Sequence, residues 1–202
     1  MKRKSIFFTL FLIFISLSTS LYGYNIYYAE QYYELYHQNL YQYHEDFEEN
    51  IWYLERALAH PFANPLNALA EIEDPRQWER YRHLFYLHVN LELVKQYRRW
   101  ASKYDKRRAY FFNAPWKDQN LESLQIARHY YESALYYWDE ALLWWARLEE
   151  VEYYHLEEIQ YWEDERKRIS LGELDYGRII REDLDRLARV EEEFENMDQD
   201  SY

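Results

Sequence analysis

ARHYYESALYYWDEALLWWARL, the stretch Ala127–Leu148, decides the fold of this chain. It contains neither glycine nor proline, so nothing in it favours a turn. Small and apolar side chains recur at alternating steps of four and three residues, the period of a helix packed against other helices. The residues of this seam are Ala127, Tyr131, Ala134, Trp138, Ala141, Trp145 and Leu148. The stretch therefore predicts one long helix with a largely aromatic packing face.

The seam steps continue beyond this stretch through Ile159 and Trp162, so we expect the helix to run from about Asn120 to Ile169. The same periodicity predicts a single helix over residues 24–60. Two caps followed by proline, Asn64-Pro65 and Asp74-Pro75, predict a short helix to Ile72 and then a long helix. Ser170-Leu171-Gly172-Glu173 predicts a break before a last helix.

No segment alternates with the period of a strand, so the predicted fold class is all-α. Long helices joined by short turns that contain proline favour antiparallel neighbours. We therefore expect long antiparallel helical hairpins or a bundle. The expected organisation is an aromatic-rich helical domain over residues 24–170, followed by a charged helix and tail over 171–202.

Composition excludes several classes of enzyme. The chain has no cysteine, which rules out disulfides, thiolate metal sites and cysteine nucleophiles. Its three glycines are too few for a phosphate-binding loop, and no serine lies in a Gly-x-Ser-x-Gly turn. The chain instead contains 24 tyrosines, 8 tryptophans and 10 phenylalanines, which supply large packing surfaces. We predict a protein without a cofactor that is not an enzyme.

The N-terminus has the features of a secretory signal peptide. Lys2, Arg3 and Lys4 precede the apolar run Ile6–Leu17, and small residues end near Gly23. A membrane-spanning helix needs about 20 apolar residues, so this run is short for an anchor. The pattern predicts a leader over residues 1–23 and a periplasmic protein. The alternative is an uncleaved leader, which would be the only membrane contact.

Charge is divided unevenly along the chain. Residues 75–108 contain ten bases and three acids, a net +7, whereas residues 149–202 have nineteen acids and seven bases, a net −12. The whole chain carries −13, and this acidity argues against nucleic acid as a partner. The basic candidates for partner binding are Arg98, Arg99, Lys103, Arg107 and Arg108. They either pair with the acidic helices of the chain itself or dock an acidic partner.

Two Glu-x-x-His motifs offer a weak alternative as a metal site. Glu34 and His37 form one motif, and Glu152 and His155 form the other. On helices, such pairs plus two further glutamates can build a di-iron carboxylate centre in a four-helix bundle. The motif is short and glutamate is abundant, so we expect no metal here. His83, His88 and His129 have no convincing partners at metal-ligand spacing.

Aromatic residues beyond one helical stripe are the main candidates for contact with another molecule. The aromatic candidates for partner binding are Tyr136, Trp138, Trp144, Trp145, Tyr153 and Tyr154. Most lie on the stripe that interhelix packing would bury, which is the simpler interpretation. Rings left over are typical of protein interfaces, and a groove that binds glycan or peptide is the third possibility.

The segment Tyr130–Arg147, YYESALYYWDEALLWWAR, resembles the second helix of a tetratricopeptide repeat, with Ala134, Trp138 and Ala141 at the usual small–aromatic–small spacing. Asp118, Glu122 and Gln125 depart from the Trp, Gly and Tyr of its first helix. No repeat of about 34 residues is present, so the fold is tetratricopeptide-like at most.

Two other stretches, NIWYLERALAHPFANPLNALA (Asn50–Ala70) and YDKRRAYFFNAPW (Tyr104–Trp116), resemble exported spirochaetal proteins of the periplasmic flagellar collar. This resemblance implies a structural subunit that contacts other collar proteins. It agrees with the expectation from the residues, an exported scaffold whose partners are other periplasmic proteins. The charged helix after Gly172 is a further candidate for a docking arm.

Overall fold

The computed structural model describes residues 25–197. Its six α-helices are α1 (Ala29–Gln42), α2 (Phe47–Ala59), α3 (Pro75–Tyr104), α4 (Lys117–Leu148), α5 (Gln160–Ser170) and α6 (Tyr176–Glu195). Short 3-10 helices occur at Pro65–Asn67, Phe111–Trp116 and Glu157–Ile159. No strand occurs within residues 25–197, so the predicted all-α fold is confirmed. The predicted leader lies outside the described residues.

Helices α3 and α4 form the centre of the fold as an antiparallel hairpin. Near the start of α3, the ring of Tyr86 stacks on Trp144 of α4 at 4.3 Å between centroids. Near its end, Trp100 stacks on Tyr130 at 4.0 Å. As the residue number rises along α3 it falls along α4, which confirms the predicted antiparallel arrangement. Helices α2 and α5 pack on α3, α1 packs on α2, and α6 packs on α4.

The core follows α3, which is buried around most of its circumference. Its fully buried apolar residues include Leu84, Leu87, Leu91 and Val94. Burying one such side chain contributes about 1.5–3 kcal/mol to folding. Because the surrounding helices each cover a different side of α3, side chains from α1 to α6 form one contiguous core.

The prediction of one helix over residues 24–60 is wrong, because the chain breaks between α1 and α2. Asp46 caps α2 through its side chain, which accepts a hydrogen bond from the backbone N–H of Glu49 at 3.1 Å. Tyr43 has a non-helical backbone with φ −135° and ψ 61°. The break lets α2 fold back against α1, so both helices bury an apolar face that a single rod would leave exposed.

The predicted helix from Asn64 to Ile72 is reduced to the 3-10 turn Pro65–Asn67. Asn64 caps this turn as expected, accepting from the N–H of Leu66 at 2.8 Å. Beyond the turn, the N–H of Leu69 donates to the hydroxyl of Tyr81 at 3.3 Å. A side chain of α3 thus takes a backbone donor that a longer helix would use within itself.

The long helix predicted to reach Ile169 instead ends at Leu148. Residues 149–156 form a loop, and a new helix, α5, begins at Gln160. The guanidinium of Arg80 donates to the carbonyls of Val151 and Glu152, both at 3.2 Å. These long-range hydrogen bonds replace the helical ones at that point.

Two predicted boundaries are confirmed. The Asp74 side chain accepts hydrogen bonds from the N–H groups of Arg76 and Gln77 at 2.8 and 3.0 Å, so it caps α3. After α5, Gly172 adopts φ +70°, the left-handed conformation that glycine reaches at low cost. The chain then turns back, and α6 starts four residues later.

The charged C-terminal helix, considered above as a docking arm, packs along α4. Its buried stripe contains Ile180, Leu187, Val190 and Phe194. Arg186 also holds the end of α3 through a bidentate ion pair with Asp105, at 3.0 and 2.7 Å. The helix is therefore part of the common core, and its charged face is the solvent side.

Glu30 is a buried carboxylate near the start of α1. It is 3 % exposed and accepts hydrogen bonds from the N–H of Ala63 at 2.9 Å and the hydroxyl of Tyr81 at 3.4 Å. No cation pairs with it among residues 25–197. Burial raises the pKa of the Glu30 carboxyl above its ordinary 4.5, against the lowering effect of these hydrogen bonds.

A raised pKa means that folding favours the protonated carboxyl. The stabilisation is present below about pH 4.5 and is lost as the pH rises through the folded pKa. We expect Glu30→Gln to remove this loss, because the amide is nearly isosteric and uncharged. Urea denaturation from about pH 4 to about pH 8 should show a smaller fall in unfolding free energy for the variant. Parallel curves for the two proteins would contradict the assignment.

Candidate interaction surface and buried polar cluster

The four residues of the predicted metal alternative do not come together as one helical site. Glu34 and His37 lie on α1, as expected, and both are exposed. Glu152 and His155 lie in the loop 149–156, where a three-residue step does not place side chains on one face. In the part of the chain that is described, a different group of side chains has metal-ligand spacing.

The three tryptophans among the partner candidates differ in how deeply they are buried and in their contacts within the chain. Trp138 is 4 % exposed and packs between α4 and α6, so it is a core residue and not a surface for partners. Trp144 is half-buried and stacks on Tyr86. The indole N–H of Trp145 donates to the hydroxyl of Ser170 at 3.1 Å. The interpretation as interhelix packing is therefore correct for Trp138.

Two of the three tyrosine candidates are mostly exposed, and the third, Tyr154, is half-buried. Tyr136 is 58 % exposed and Tyr153 is 56 % exposed. The ring of Tyr153 lies under the Arg80 guanidinium at 4.8 Å, and Tyr154 donates to Glu152 at 2.7 Å. Tyr153 and Tyr154 therefore help to close the loop 149–156, whereas Tyr136 lies on the helix α4.

Part of the basic stretch is neutralised by the chain itself. Lys103 pairs with Glu45 at 2.7 Å, and Arg98 pairs with Asp183 at 3.4 Å. The guanidinium of Arg99 donates to the carbonyl of His44 at 3.1 Å. Ion pairs thus neutralise Lys103 and Arg98, whereas Arg99 is held by a hydrogen bond to an uncharged carbonyl. Arg107 and Arg108, after the end of α3, are exposed.

Helices α3 and α4 present a cluster of rings that the chain covers only in part. We define this aromatic face as Tyr97, Trp100, Tyr104, Tyr130, Tyr136 and Tyr137. Five of these residues are half-buried, and Tyr136 is mostly exposed. Each ring lies within 6.3 Å, between centroids, of at least one other ring of the face. The face is continuous along the central hairpin.

A carboxylate of α2 fixes the middle of the aromatic face. Glu55 Oε1 accepts hydrogen bonds from the hydroxyls of Tyr97 at 3.1 Å and Tyr137 at 2.8 Å. The two rings stack at 5.5 Å. Burial, together with the nearby Glu55 charge, raises the pKa of both phenols above their ordinary value. The rings are thus neutral and held in place before any partner binds.

A second group of polar side chains is enclosed where α1 and α5 approach α3. We define the His88 cluster as His88, Glu92, Lys95 and Glu165. His88 Nδ1 lies 2.6 Å from a Glu165 oxygen, and since an ionised carboxylate only accepts, the imidazole is the donor. Lys95 Nζ donates to Glu92 at 2.6 Å and to Glu165 at 3.0 Å.

Two tyrosines of α1 complete the surroundings of the cluster. The Tyr33 hydroxyl and His88 Nε2 are 2.8 Å apart, and the Tyr36 hydroxyl donates to Glu92 at 2.7 Å. Trp162 stacks on the His88 ring at 5.1 Å. All three rings belong to buried residues, so they separate most of the cluster from water.

The charges of the His88 cluster depend on one another. Burial raises the pKa of the Glu92 and Glu165 carboxyls, but His88 and Lys95 lower it more, so both pKa values lie below the ordinary 4.5. Burial lowers the pKa of Lys95, but the two carboxylates raise it more. Both carboxylates and the ammonium are therefore charged at neutral pH.

Two surface pockets flank the His88 cluster. One of about 420 Å³ is lined partly by Glu92, Lys95 and Gln96. The other, of about 330 Å³, is lined partly by Tyr33, Tyr161 and Trp162. The cluster is thus enclosed but is close to solvent on two sides.

Sequence reasoning missed this cluster. His88 and Glu92 are four residues apart and share a face of α3, a spacing that the sequence displays. Glu165 comes from α5, seventy-seven residues later, and only the tertiary fold brings it to His88. The expectation that His88 has no convincing partners at metal-ligand spacing is therefore wrong.

Among the described helices, none combines the length and the apolar character that crossing a membrane requires.

Comparison with known proteins gives one match. A family model described as a domain of unknown function (DUF8513) matches residues 76–197. This range includes almost all of α3 and the whole of α4, α5 and α6, with every member of the aromatic face and the His88 cluster. The comparisons with curated proteins and with solved structures found no match. Since the model matches more than half of the 202 residues, the chain belongs to the DUF8513 family.

Proposed function

We propose that the protein is an exported structural subunit that assembles with other periplasmic proteins through its aromatic face. The observation that carries the proposal is the partial exposure of six contacting rings on the central hairpin. Contiguous exposed aromatic surface is typical of protein interfaces, where tyrosine and tryptophan supply much of the binding energy. Burial of the face by a partner would remove these rings from water.

The order of the face before binding favours this role. Stacking of Trp100 on Tyr130, and the two hydrogen bonds to Glu55, hold the rings in one arrangement. Binding of a partner therefore costs less conformational entropy, because the rings are already ordered. A structural subunit that must form a stable contact benefits from such a surface.

Location and assembly are proposed from the sequence. The basic and apolar leader at residues 1–23 supports export. Resemblance of the segments Asn50–Ala70 and Tyr104–Trp116 to spirochaetal collar proteins suggests the flagellar motor collar as the assembly. The packing of α6 on α4 makes the aromatic face, and not the C-terminal helix, the main docking surface in this proposal.

Tyr136→Glu tests the face directly. A carboxylate at the most exposed ring would be desolvated without a partner charge in the complex, so we expect at least about a tenfold loss of affinity for the captured partner. Stability should change little, because the ring is 58 % exposed. The assay is affinity capture from the native envelope, followed by titration of the purified partner.

Tyr41→Glu is the matched control. Tyr41 is 91 % exposed on α1 and does not belong to the aromatic face. It should leave capture unchanged. Equal capture by wild type, Tyr136→Glu and Tyr41→Glu would overturn the proposal that this face binds the partner.

A further inference from the structure

We propose that the His88 cluster binds a divalent cation of the Mn²⁺ to Zn²⁺ series, in exchange for the ammonium of Lys95. Three groups supply the donors: His88 Nδ1, a Glu92 oxygen and a Glu165 oxygen. These atoms all lie within 4.8 Å of one another. An imidazole nitrogen and carboxylate oxygens are common ligands of first-row divalent metals.

The Lys95 ammonium marks the place of the cation. It lies 2.6 Å from Glu92 and 3.0 Å from Glu165, so it already occupies a position between the two carboxylates. The carboxylate-bearing side chains are only 14 % and 12 % exposed, which makes a compensating positive charge necessary. A divalent ion would balance the two carboxylates fully, with neutral imidazole as its third ligand.

The Lys95 side chain has space to move out of the cluster. It is 33 % exposed and lines the pocket of about 420 Å³. A lysine side chain is flexible, and its ammonium is well hydrated in water. Movement of the ammonium into this pocket would free both carboxylates without a change in the backbone of α3.

The metal-ligating groups themselves accept or donate hydrogen bonds, as ligands with a second coordination shell do. Tyr33 contacts His88 Nε2 at 2.8 Å, and the ring is held with Nδ1 toward Glu165. On metal binding, the proton that Nδ1 donates to Glu165 would leave Nδ1, and Nε2 would carry the ring proton and donate it to the Tyr33 hydroxyl. Tyr36 donates to Glu92 at 2.7 Å. Such outer partners fix the tautomer of a ligating histidine and the orientation of a carboxylate.

The buried side chain of Gln96 gives independent support for a ligand near the His88 cluster. The residue is 1 % exposed, its Nε2 donates to Tyr36, and its Oε1 has no partner among the described residues. It lines the same pocket as Glu92 and Lys95. A buried carbonyl oxygen without a donor is costly, and a metal-bound water or the displaced ammonium is a donor that this pocket can admit.

Metal titration of the full chain tests the proposal. We expect wild type to bind one Zn²⁺ per chain in competition with a chromogenic chelator, and Co²⁺ to give a visible absorption band. Lys95→Met removes the competing cation and should tighten Zn²⁺ binding by at least about tenfold, whereas Glu165→Gln should weaken it by at least about tenfold. Glu152→Gln, at a glutamate of the loop 149–156, is the matched control and should bind as wild type does.

Thermal unfolding gives a second readout. Without metal, Lys95→Met leaves two carboxylates uncompensated, so its Tm should fall; Zn²⁺ should raise that Tm more than it raises the Tm of wild type. If Lys95→Met fails to fold, the imidazole ¹⁵N resonance of His88 in wild type decides, because ligation shifts it. Absence of saturable Zn²⁺ binding in wild type and Lys95→Met, or an unmoved His88 resonance, would show that the cluster is an ion-pair network only.

Discussion

Replacing Arg80 by methionine is expected to lower the free energy of unfolding by about 3 kcal/mol, because the buried Glu163 carboxylate then keeps only Arg166, at 2.9 Å, as a counter-ion. Arg80 and Glu163 form an ion pair in which the side chains are 2 % and 4 % exposed. Arg80 also holds the carbonyls of Val151 and Glu152, so the variant removes hydrogen bonds to the loop 149–156 as well. Urea denaturation measures the loss.

A double replacement separates the charge from the shape of the side chains. Arg80→Met together with Glu163→Met removes both buried charges, keeps apolar volume and leaves Arg166 paired with Glu149 at 2.8 Å, so it should recover a large part of the stability lost with the ion pair. Arg76→Met is the matched control, since its side chain is 70 % exposed and its ion pairs are on the surface. A loss at Arg80 no greater than at Arg76 would show that the pair contributes little.

The same residue explains why the sequence predicts the end of α4 incorrectly. The helical period continues from Leu148 through Ile159 to Trp162, and the last two are buried as expected. The break between them depends on Arg80, which is some seventy residues away and withdraws two carbonyls from the helix. A pattern of side chains contains no information about such a hydrogen bond, so periodicity alone predicts a continuous helix.

Local signals, by contrast, are sufficient for other boundaries. The Asp74-Pro75 cap starts α3, and Gly172 ends the segment after α5 through its positive φ. Both depend on residue types whose preferred backbone conformations are known from the sequence. The break between α1 and α2 also has a local cap, Asp46. It was not predicted, because the segment contains no glycine or proline to indicate a turn.

The candidate sites divide in the same way. Excess tyrosine along α4 predicts an exposed aromatic surface, and Tyr136 lies on it. The His88 cluster combines α3 with α5, and its glutamate Glu165 has no sequence motif that distinguishes it from other acids. The residue periodicity can therefore predict a site that lies on one helix. A site formed between helices can be predicted only when the tertiary fold is known.

Trp138→Ala is the other change with a large expected effect, and it distinguishes a core residue from an interface residue on the same helix. Trp138 is 4 % exposed, and its ring meets Tyr176 edge-on at 5.9 Å. Truncation of a buried tryptophan to alanine costs about 3–5 kcal/mol. Amides of α6 should also lose protection in hydrogen exchange, because the ring is part of the α4–α6 contact. The neighbouring Tyr136→Ala should change stability by less than about 0.5 kcal/mol.

Gly177 of α6 supplies the cross-check. A Cβ at this position would lie 2.5 Å from Trp138 Nε1, so Gly177→Ala overpacks the contact and should cost about 1–3 kcal/mol. In the Trp138→Ala background the added methyl group would meet only the flexible end of Arg181, at 3.2 Å, so the same change should cost much less. A double-mutant cycle measures this coupling. Strictly additive losses of stability would mean that the indole does not contact Gly177. Unchanged stability of Trp138→Ala would mean that α6 is held to α4 by its other buried residues alone.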